Sequence, residues 1–170
     1  MSFKLPTGLN EEEFVNLIKA TTKDRFKVAF LLGFGAGLRV SEIIKLQKED
    51  FNLNEKRIFI HSGKGEKDRI VPLPKGFRDK YVSLFPLPYK NLDTGIRSME
   101  IAFKLAAKKA GLNKELHFHS LRHSFAQQCI KQKIPLNQIQ LLMGHSNISV
   151  TSIYLKARPD EALKSYEELF

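Results

Sequence analysis

The sequence of 170 residues lacks several features that mark common protein classes. It contains one cysteine, Cys129, which excludes an internal disulfide framework and a zinc ribbon built from paired cysteines. The longest apolar run, residues 28–38, is too short to span a bilayer and carries three glycines. The first residues lack the basic-then-apolar pattern of a signal peptide. We therefore expect a cytoplasmic protein without membrane association.

Acidic residues are also scarce relative to basic ones. The 18 Asp and Glu residues face 28 Lys and Arg residues, which gives a net charge of +10. Such an excess favours a polyanionic partner, most often nucleic acid, with an acidic membrane surface as the weaker alternative. The length suits one domain with a real core, and no repeat or Pro/Gly-rich linker divides the chain. We expect residues 1–170 to form a single domain.

Apolar residues repeat at helical spacing along most of the chain, which predicts a mainly α protein. The glycine-rich residues 33–37 indicate a tight turn and a close approach between elements. Capping residues set the other boundaries. Thr94 is the expected cap of the longest helix, and Asn147 that of a short segment leading to Tyr154. The second predicted helix begins near Asp24 and ends within residues 33–37. The other predicted helices cover residues 10–18, 40–46, 74–84, 94–111, 119–130, 135–144 and 160–170.

One region reads as β-structure. Residues 51–53, 57–60 and 69–72 are separated by two polar turns, which predicts a three-stranded antiparallel meander. The fold class is therefore α+β, mainly α, with a small antiparallel sheet. Lys64 lies at the glycine-flanked tip of the second turn, where an isolated lysine is usually only solvated. The tip is not a Walker A loop, since the Gly-x4-Gly-Lys-Ser/Thr pattern is missing.

The helix that begins near His119 carries more polar chemistry than a helix start requires. His119 and Arg122 lie three residues apart and share a helix face, where they can grip one small anion. A polar helix face without chemistry is the alternative. Zinc is a rival use, because His119 and His123 are spaced as in HExxH, but the glutamate is missing and no third ligand is obvious. We expect no metal, and a structural role for His123.

Phosphoryl transfer suits the polar groups better. It needs positive donors around the phosphorus atom, an in-line nucleophile and an acid for the leaving oxygen. Suitable groups stand on separate predicted elements: Arg39, Lys64, the pair His119 and Arg122 with the later His145, and Tyr154.

At these positions the sequence resembles the tyrosine recombinases and phage integrases, in particular the Xer-like members. The resemblance covers residues 9–154 and depends on five pieces in the family's order. These are Gly-Leu-Arg-Val-Ser-Glu at 37–42, Gly-Lys-Gly-Glu-Lys-Asp-Arg at 63–69, His-Ser-Leu-Arg-His at 119–123, Gly-His-Ser at 144–146 and Tyr154. Each piece alone is weak, and the ordered set is highly specific. The resemblance implies the catalytic-domain fold of that family.

The resemblance also implies the covalent chemistry. Tyr154 would attack a DNA phosphodiester to give a 3′-phosphotyrosyl enzyme and a free 5′-hydroxyl. His119 would act as general base toward Tyr154, and Lys64 would protonate the departing 5′ oxygen. A free tyrosine has a pKa near ~10, so it needs a base and a positive field to become a nucleophile.

The remaining implied residues stabilise charge. Arg39 and Arg122 would neutralise the phosphorane, and His145 would hydrogen-bond a non-bridging oxygen, although some relatives have tryptophan there. The resemblance implies no metal or other cofactor, because the arginines replace the cation and the covalent bond conserves the phosphodiester energy.

The implied partners are double-stranded DNA and further copies of the chain. Residues 160–170 would pack on a neighbouring protomer in a DNA-bound tetramer at the nucleoid, or else on their own chain. We expect the family's amino-terminal core-binding domain to be absent from these 170 residues. Type IB topoisomerase-like relaxation, a DNA-binding module without catalysis and a metal-dependent nuclease are the alternatives.

Overall fold

In a computed structural model of the chain, the structure describes residues 7–61, 68–112 and 115–144, and all structural statements concern these residues. They contain six α-helices, two short 3₁₀ helices and three β-strands. The helices are α1 (Glu11–Ala20), α2 (Asp24–Ala36), α3 (Val40–Lys45), α4 (Leu92–Lys109), α5 (His119–Lys131) and α6 (Leu136–Met143); the strands are β1 (Phe51–Asn52), β2 (Arg57–Ile60) and β3 (Arg69–Pro72); the 3₁₀ helices are Lys48–Asp50 and Asp79–Leu84.

The three strands form one antiparallel sheet in the order β1-β2-β3. Ile58 of β2 pairs with Phe51 of β1 and with Val71 of β3. Ile58 and Val71 are buried on the inner face, whereas Phe59 and Ile70 point outward, as the two-residue period of a half-buried sheet requires. The predicted meander and the mainly α class are both confirmed.

Helix α2 lies at the centre of the domain. Its residues Val28, Ala29, Phe30 and Leu32 are fully buried, as is usual for a helix that is apolar on nearly every side. The helix ends at Ala36, within the predicted residues 33–37, and Gly37 is its C-cap. The glycines also permit close packing, since a Cβ atom on Gly33 would lie 3.2 Å from the Cβ atom of Leu121 in α5.

Two boundaries differ from the prediction. Residues 74–84 do not form one α-helix: a turn with Gly76 at φ 86° interrupts the helical path before the 3₁₀ helix Asp79–Leu84. Helix α4 begins earlier than expected, because Asn91 is its N-cap. The Asn91 side chain accepts a hydrogen bond of 2.9 Å from the backbone N–H of Thr94, which lies inside the first turn.

Helices α5 and α6 extend the core from α2. They share a small apolar cluster that includes Phe125, Cys129, Ile139 and Met143. The predicted bounds of α6 hold, with Pro135 as its N-cap and Gly144 in the left-handed region after its last residue. Residues 147 and 160–170, with their predicted cap and helix, lie outside the described part of the chain. None of the described helices combines the length and apolar character that a membrane crossing needs.

Candidate active site

Arg39 lies at the start of α3, two residues after the left-handed Gly37. Its backbone N–H donates a hydrogen bond of 2.8 Å to Glu42 Oε2, and its Nη1 donates one of 3.2 Å to Glu42 Oε1. The side chain of Arg39 is 29% exposed. The glycine turn and the helix start therefore present this guanidinium at the protein surface, with one carboxylate fixing both its main chain and its side chain.

Arg122 lies on the first turn of α5 and is 2% exposed. Its Nη1 donates a hydrogen bond of 2.5 Å to the carbonyl of Gly37, and its Nη2 donates one of 2.6 Å to the carbonyl of Met143. A guanidinium is planar and has five N–H donors, so these two bonds fix its orientation. Arg122 thus joins the ends of α2 and α6 across the helix that carries it.

His119 is the first residue of α5 and lies one helical turn before Arg122. Burial lowers the pKa of its imidazole below the usual 6.5, and the charges of Arg122, His117 and Arg39 lower it further. The hydrogen bond from Arg122 to the Gly37 carbonyl joins the first turn of α5 to the turn before Arg39, so the structure brings Arg39, His119 and Arg122 together although they come from two sequence motifs. A neutral imidazole at neutral pH can accept a proton, which suits a general base.

His123 contacts this group through His119. The two imidazole rings meet edge to face with their centroids 4.5 Å apart. Across residues 7–61, 68–112 and 115–144, no three His, Cys, Asp or Glu side chains come together in a way that could hold a metal ion.

Two further residues lie behind the predicted group. Both belong to the quoted motifs, at 37–42 and 63–69, but no role was predicted for either. Glu42 accepts two hydrogen bonds from Arg69, 2.8 Å from Nη1 to Oε1 and 3.0 Å from Nη2 to Oε2. Both side chains are nearly buried, 7% exposed for Arg69 and 9% for Glu42. Burial alone would raise the pKa of Glu42, but the hydrogen bonds and charge of Arg69, the Arg39 N–H and the charge of Arg122 lower it overall. Glu42 is therefore an ionised carboxylate among three guanidinium groups.

The carboxyl end of α6 is the meeting point of two of these arginines. Arg69 Nε donates a hydrogen bond of 2.8 Å to the carbonyl of Leu142, next to the Met143 carbonyl that Arg122 binds. The last carbonyls of a helix carry partial negative charge and lack partners within the helix, so cations stabilise them. A Cβ atom on Gly144 would lie 2.8 Å from Arg69 Nη1, so a glycine fits here for steric as well as backbone reasons.

Lys64, His145 and Tyr154 lie outside the described residues. Their places in the site remain predictions. The sequence positions them close to described parts of the site: Lys64 is five residues before Arg69, and His145 directly follows Gly144.

Comparison with known proteins gives a consistent result over nearly the whole chain. The model of the phage integrase family matches residues 8–85 and 92–161. The tyrosine recombinase XerA of Thermococcus kodakarensis is 35% identical over 179 residues, covering 96% of this chain and 63% of the relative.

Solved structures agree. The crystal structure of XerA recombinase superposes with a TM-score of 0.70 at 27% identity, covering 98% of this chain and 66% of that one. The post-cleavage complex of XerH recombinase with a palindromic difH substrate gives a TM-score of 0.74 at 26% identity, covering 96% of this chain and 54% of that one. The chain thus spans somewhat less than two thirds of the curated relative, and its fold is that of the tyrosine recombinase catalytic domain. It belongs to the phage integrase family, the tyrosine recombinases.

Proposed function

We propose that this chain cleaves and rejoins DNA strands through a covalent 3′-phosphotyrosyl intermediate on Tyr154. The observation that carries the proposal is the cluster of Arg39, Arg122 and His119, formed by two motifs that lie far apart in the sequence. Residues 1–170 act in this proposal as a single catalytic domain. Membership of the phage integrase family supports it.

The two arginines stabilise the charge that develops on the scissile phosphate. Arg39 is partly exposed and presents its guanidinium to the DNA backbone, while Arg122 contributes its charge from a buried position behind it. Electrostatic interactions are stronger in such a low-dielectric setting than in water. Because hydrogen bonds to main-chain carbonyls already hold Arg122, little reorganisation is needed when the negative charge forms.

The proton transfers complete the step. Tyr154 Oη attacks phosphorus and gives its proton to the neutral imidazole of His119. The bond between phosphorus and the 5′ oxygen breaks, and Lys64 Nζ supplies the proton that this oxygen takes up. His145 donates a hydrogen bond to a non-bridging oxygen. Rejoining reverses each transfer, so neither a metal nor a nucleotide cofactor is required.

The partner in this proposal is duplex DNA. The net charge of +10 favours a polyanion, and XerH, a structural relative, was solved bound to its difH DNA substrate.

We further infer that copies assemble as a tetramer on DNA through residues 160–170, at the nucleoid. Removing residues 160–170 should then abolish the tetramer on DNA while leaving cleavage by single subunits, which crosslinking on duplex DNA would detect.

A covalent-adduct assay tests the function. The protein is incubated in EDTA with a pool of nicked duplexes whose central sequence is randomised, since the target is unknown, and denatured in SDS. We expect a DNA-linked band for the wild type and none for Tyr154→Phe. Tyr166→Phe is the matched control, because it removes a hydroxyl from the neighbouring tyrosine, and it should retain the band.

The other outcomes separate the alternatives. Cleavage that EDTA abolishes would indicate a metal-dependent nuclease. DNA binding that Tyr154→Phe leaves unchanged, without an adduct from the wild type, would indicate a binding module. Sequencing the captured DNA gives the preferred site, and relaxation of supercoiled plasmid without strand exchange would favour a topoisomerase-like activity.

A further inference from the structure

We propose that Arg69 is a positioning residue for the cleavage reaction, which it serves by locking Glu42 to the carboxyl end of α6. This inference rests on the proposed function. Arg69 does not belong to the predicted catalytic set. It is the first residue of β3 and lies on the inner face of the sheet with Val71.

The geometry ties three elements to one guanidinium. Both Nη atoms of Arg69 donate to the two oxygens of Glu42 in α3, at 2.8 and 3.0 Å, while Nε donates to the Leu142 carbonyl of α6 at 2.8 Å. The contacts are long-range, since Arg69 lies 27 residues from Glu42 and 73 from Leu142. All three guanidinium nitrogens of Arg69 donate hydrogen bonds, and the side chain is almost fully buried.

Glu42 passes this constraint to Arg39. Its Oε2 accepts the Arg39 backbone N–H and its Oε1 accepts Arg39 Nη1, so that the carboxylate lies between the two guanidinium groups. Arg69 therefore fixes the carboxylate that orients Arg39, without being placed to contact the phosphate itself. On the other side it holds the carbonyl that precedes Met143, whose own carbonyl orients Arg122.

A lysine cannot replace this arrangement. Its ammonium is a compact charge on a flexible stem and lacks the planar fork that matches both carboxylate oxygens and a carbonyl together. A displacement of about 1 Å at a reacting group can reduce a rate by roughly 10²-fold. Loss of the fork should therefore slow the chemical step more than it weakens DNA binding.

The test compares Arg69→Lys, Arg69→Gln, Glu42→Gln and the double variant Arg69→Gln/Glu42→Gln with the wild type. Arg57→Gln is the matched control, because Arg57 is also a strand arginine paired with a glutamate but is 58% exposed. Each protein is assayed at a temperature where circular dichroism shows it fully folded. The measurements are the single-turnover rate of adduct formation and the affinity for the captured DNA.

We expect Arg69→Lys to slow adduct formation by about 10²-fold with DNA affinity changed less than about threefold. If Arg69 acts through Glu42, the double variant should be no slower than the slower single variant, because the two substitutions then remove one shared interaction. Independent structural damage would instead multiply the two rate losses. Arg57→Gln should match the wild type.

The pH profile gives a readout that simple loss of folded protein would not change. The hydrogen bonds and charge of Arg69, the backbone N–H of Arg39 and the charge of Arg122 together outweigh the effect of burial and lower the pKa of Glu42. The Arg39 guanidinium also contacts Glu42, through Nη1. In Arg69→Gln, burial opposes only the remaining two arginines, so the pKa of Glu42 should rise. Adduct formation should then decline with falling pH at a higher pH than in the wild type, and adding Glu42→Gln should remove this displacement.

The outcomes for the two proposals differ. A wild type that forms no adduct would overturn the proposed function. A wild type that forms the adduct, with Arg69→Lys equally fast or with rate losses that multiply in the double variant, would overturn the role of Arg69 and leave the function standing.

Discussion

The guanidinium of Arg122 donates a hydrogen bond to the main-chain carbonyl of Gly37, although the two residues lie 85 positions apart. This bond joins the helix that begins at His119 to the glycine turn that precedes Arg39. It connects two short motifs that are far apart in the chain, and it makes Arg122 part of the framework of the site as well as of its proposed chemistry.

Removing either arginine should therefore strongly slow cleavage, with different consequences for stability. We expect Arg39→Ala and Arg122→Ala each to slow adduct formation by roughly 10²–10³-fold or more, because each removes a charge that stabilises the transition state. Arg122→Ala should also lower the free energy of unfolding by about 3 kcal/mol or more, since two buried carbonyls lose their partner. Arg39→Ala should cost less than about 1 kcal/mol.

Urea unfolding beside the adduct assay measures this difference. Equal losses of stability in the two variants would contradict the framework role of Arg122, and wild-type cleavage in either would contradict the site.

Gly37 should not tolerate a side chain. It lies at φ 68°, and a Cβ atom there would approach Phe125 Cδ1 to 2.5 Å. Gly111 is the matched control, with φ 69° and no atom of another described residue, apart from its chain neighbours, within 4 Å of the same Cβ position. Gly111→Ala should lower the free energy of unfolding by about 1 kcal/mol, because only the backbone is strained. Gly37→Ala should cost roughly 2 kcal/mol more, because of the clash with the aromatic ring. Thermal melting compares the two, and equal losses would show that Phe125 moves aside freely.

The lowered pKa of His119 predicts how cleavage depends on pH. The base must be neutral, and its pKa lies below 6.5, so cleavage should be independent of this group above that pH and fall only below it. His119→Gln should remove this decline in cleavage rate at low pH. A decline that begins above pH 6.5 in the wild type and is absent from His119→Gln would contradict a lowered pKa of His119.

Stability should follow the same group. The unfolded chain binds a proton at His119 near pH 6.5, more tightly than the folded chain does. The folded state is therefore favoured above pH 6.5 and loses stability as the pH falls from there toward the lower folded pKa. Urea unfolding across this range, with His119→Gln as the reference, measures the effect. A free energy of unfolding that rises as the pH falls would contradict the lowered pKa of His119 in the folded state.

DNA binding should depend steeply on salt. The net charge of +10 predicts several phosphate contacts, and each releases counterions. We expect the affinity for duplex DNA to fall by roughly tenfold or more when monovalent salt is raised fourfold. Fluorescence anisotropy measures it, with sucrose at matched osmolality as the control. A flat response would contradict a surface that grips phosphates.

Local patterns in the sequence predicted most of the fold. The period of the apolar residues predicted the helices and the meander. Asn10 and Glu13 form a capping box at the start of α1, a local pattern that a sequence shows directly. The errors came from a turn and a cap. The sequence of residues 74–84 predicts one helix, but the positive φ of Gly76 interrupts it. Asn91 and Thr94 bind each other's backbone N–H groups, so either could be read as the cap.

The residues of the candidate site were predicted mainly from the family motifs. Helix and strand patterns alone would have predicted fewer of them. Arg39, His119 and Arg122 come together as expected, whereas Glu42 and Arg69 had no assigned role. A signal for Glu42 existed, since an acid three residues after Arg39 suits the start of a helix. Arg69 lies two residues before the buried Val71 and therefore shares its face of the strand. This spacing predicts an inward-facing charge that needs a partner. Its binding to Leu142 could not be predicted, because it depends on how α6 docks against the sheet.

The most direct test of the central claim identifies the protein–DNA bond itself. The adduct is formed on the captured duplex labelled at the 5′ or the 3′ end of the cleaved strand, digested with protease and analysed by mass spectrometry. We predict that the 5′-labelled half remains attached and that the linked peptide contains Tyr154 as its phosphotyrosyl residue. Attachment of the 3′-labelled half, or a bond to Tyr166 or any other residue, would contradict the mechanism.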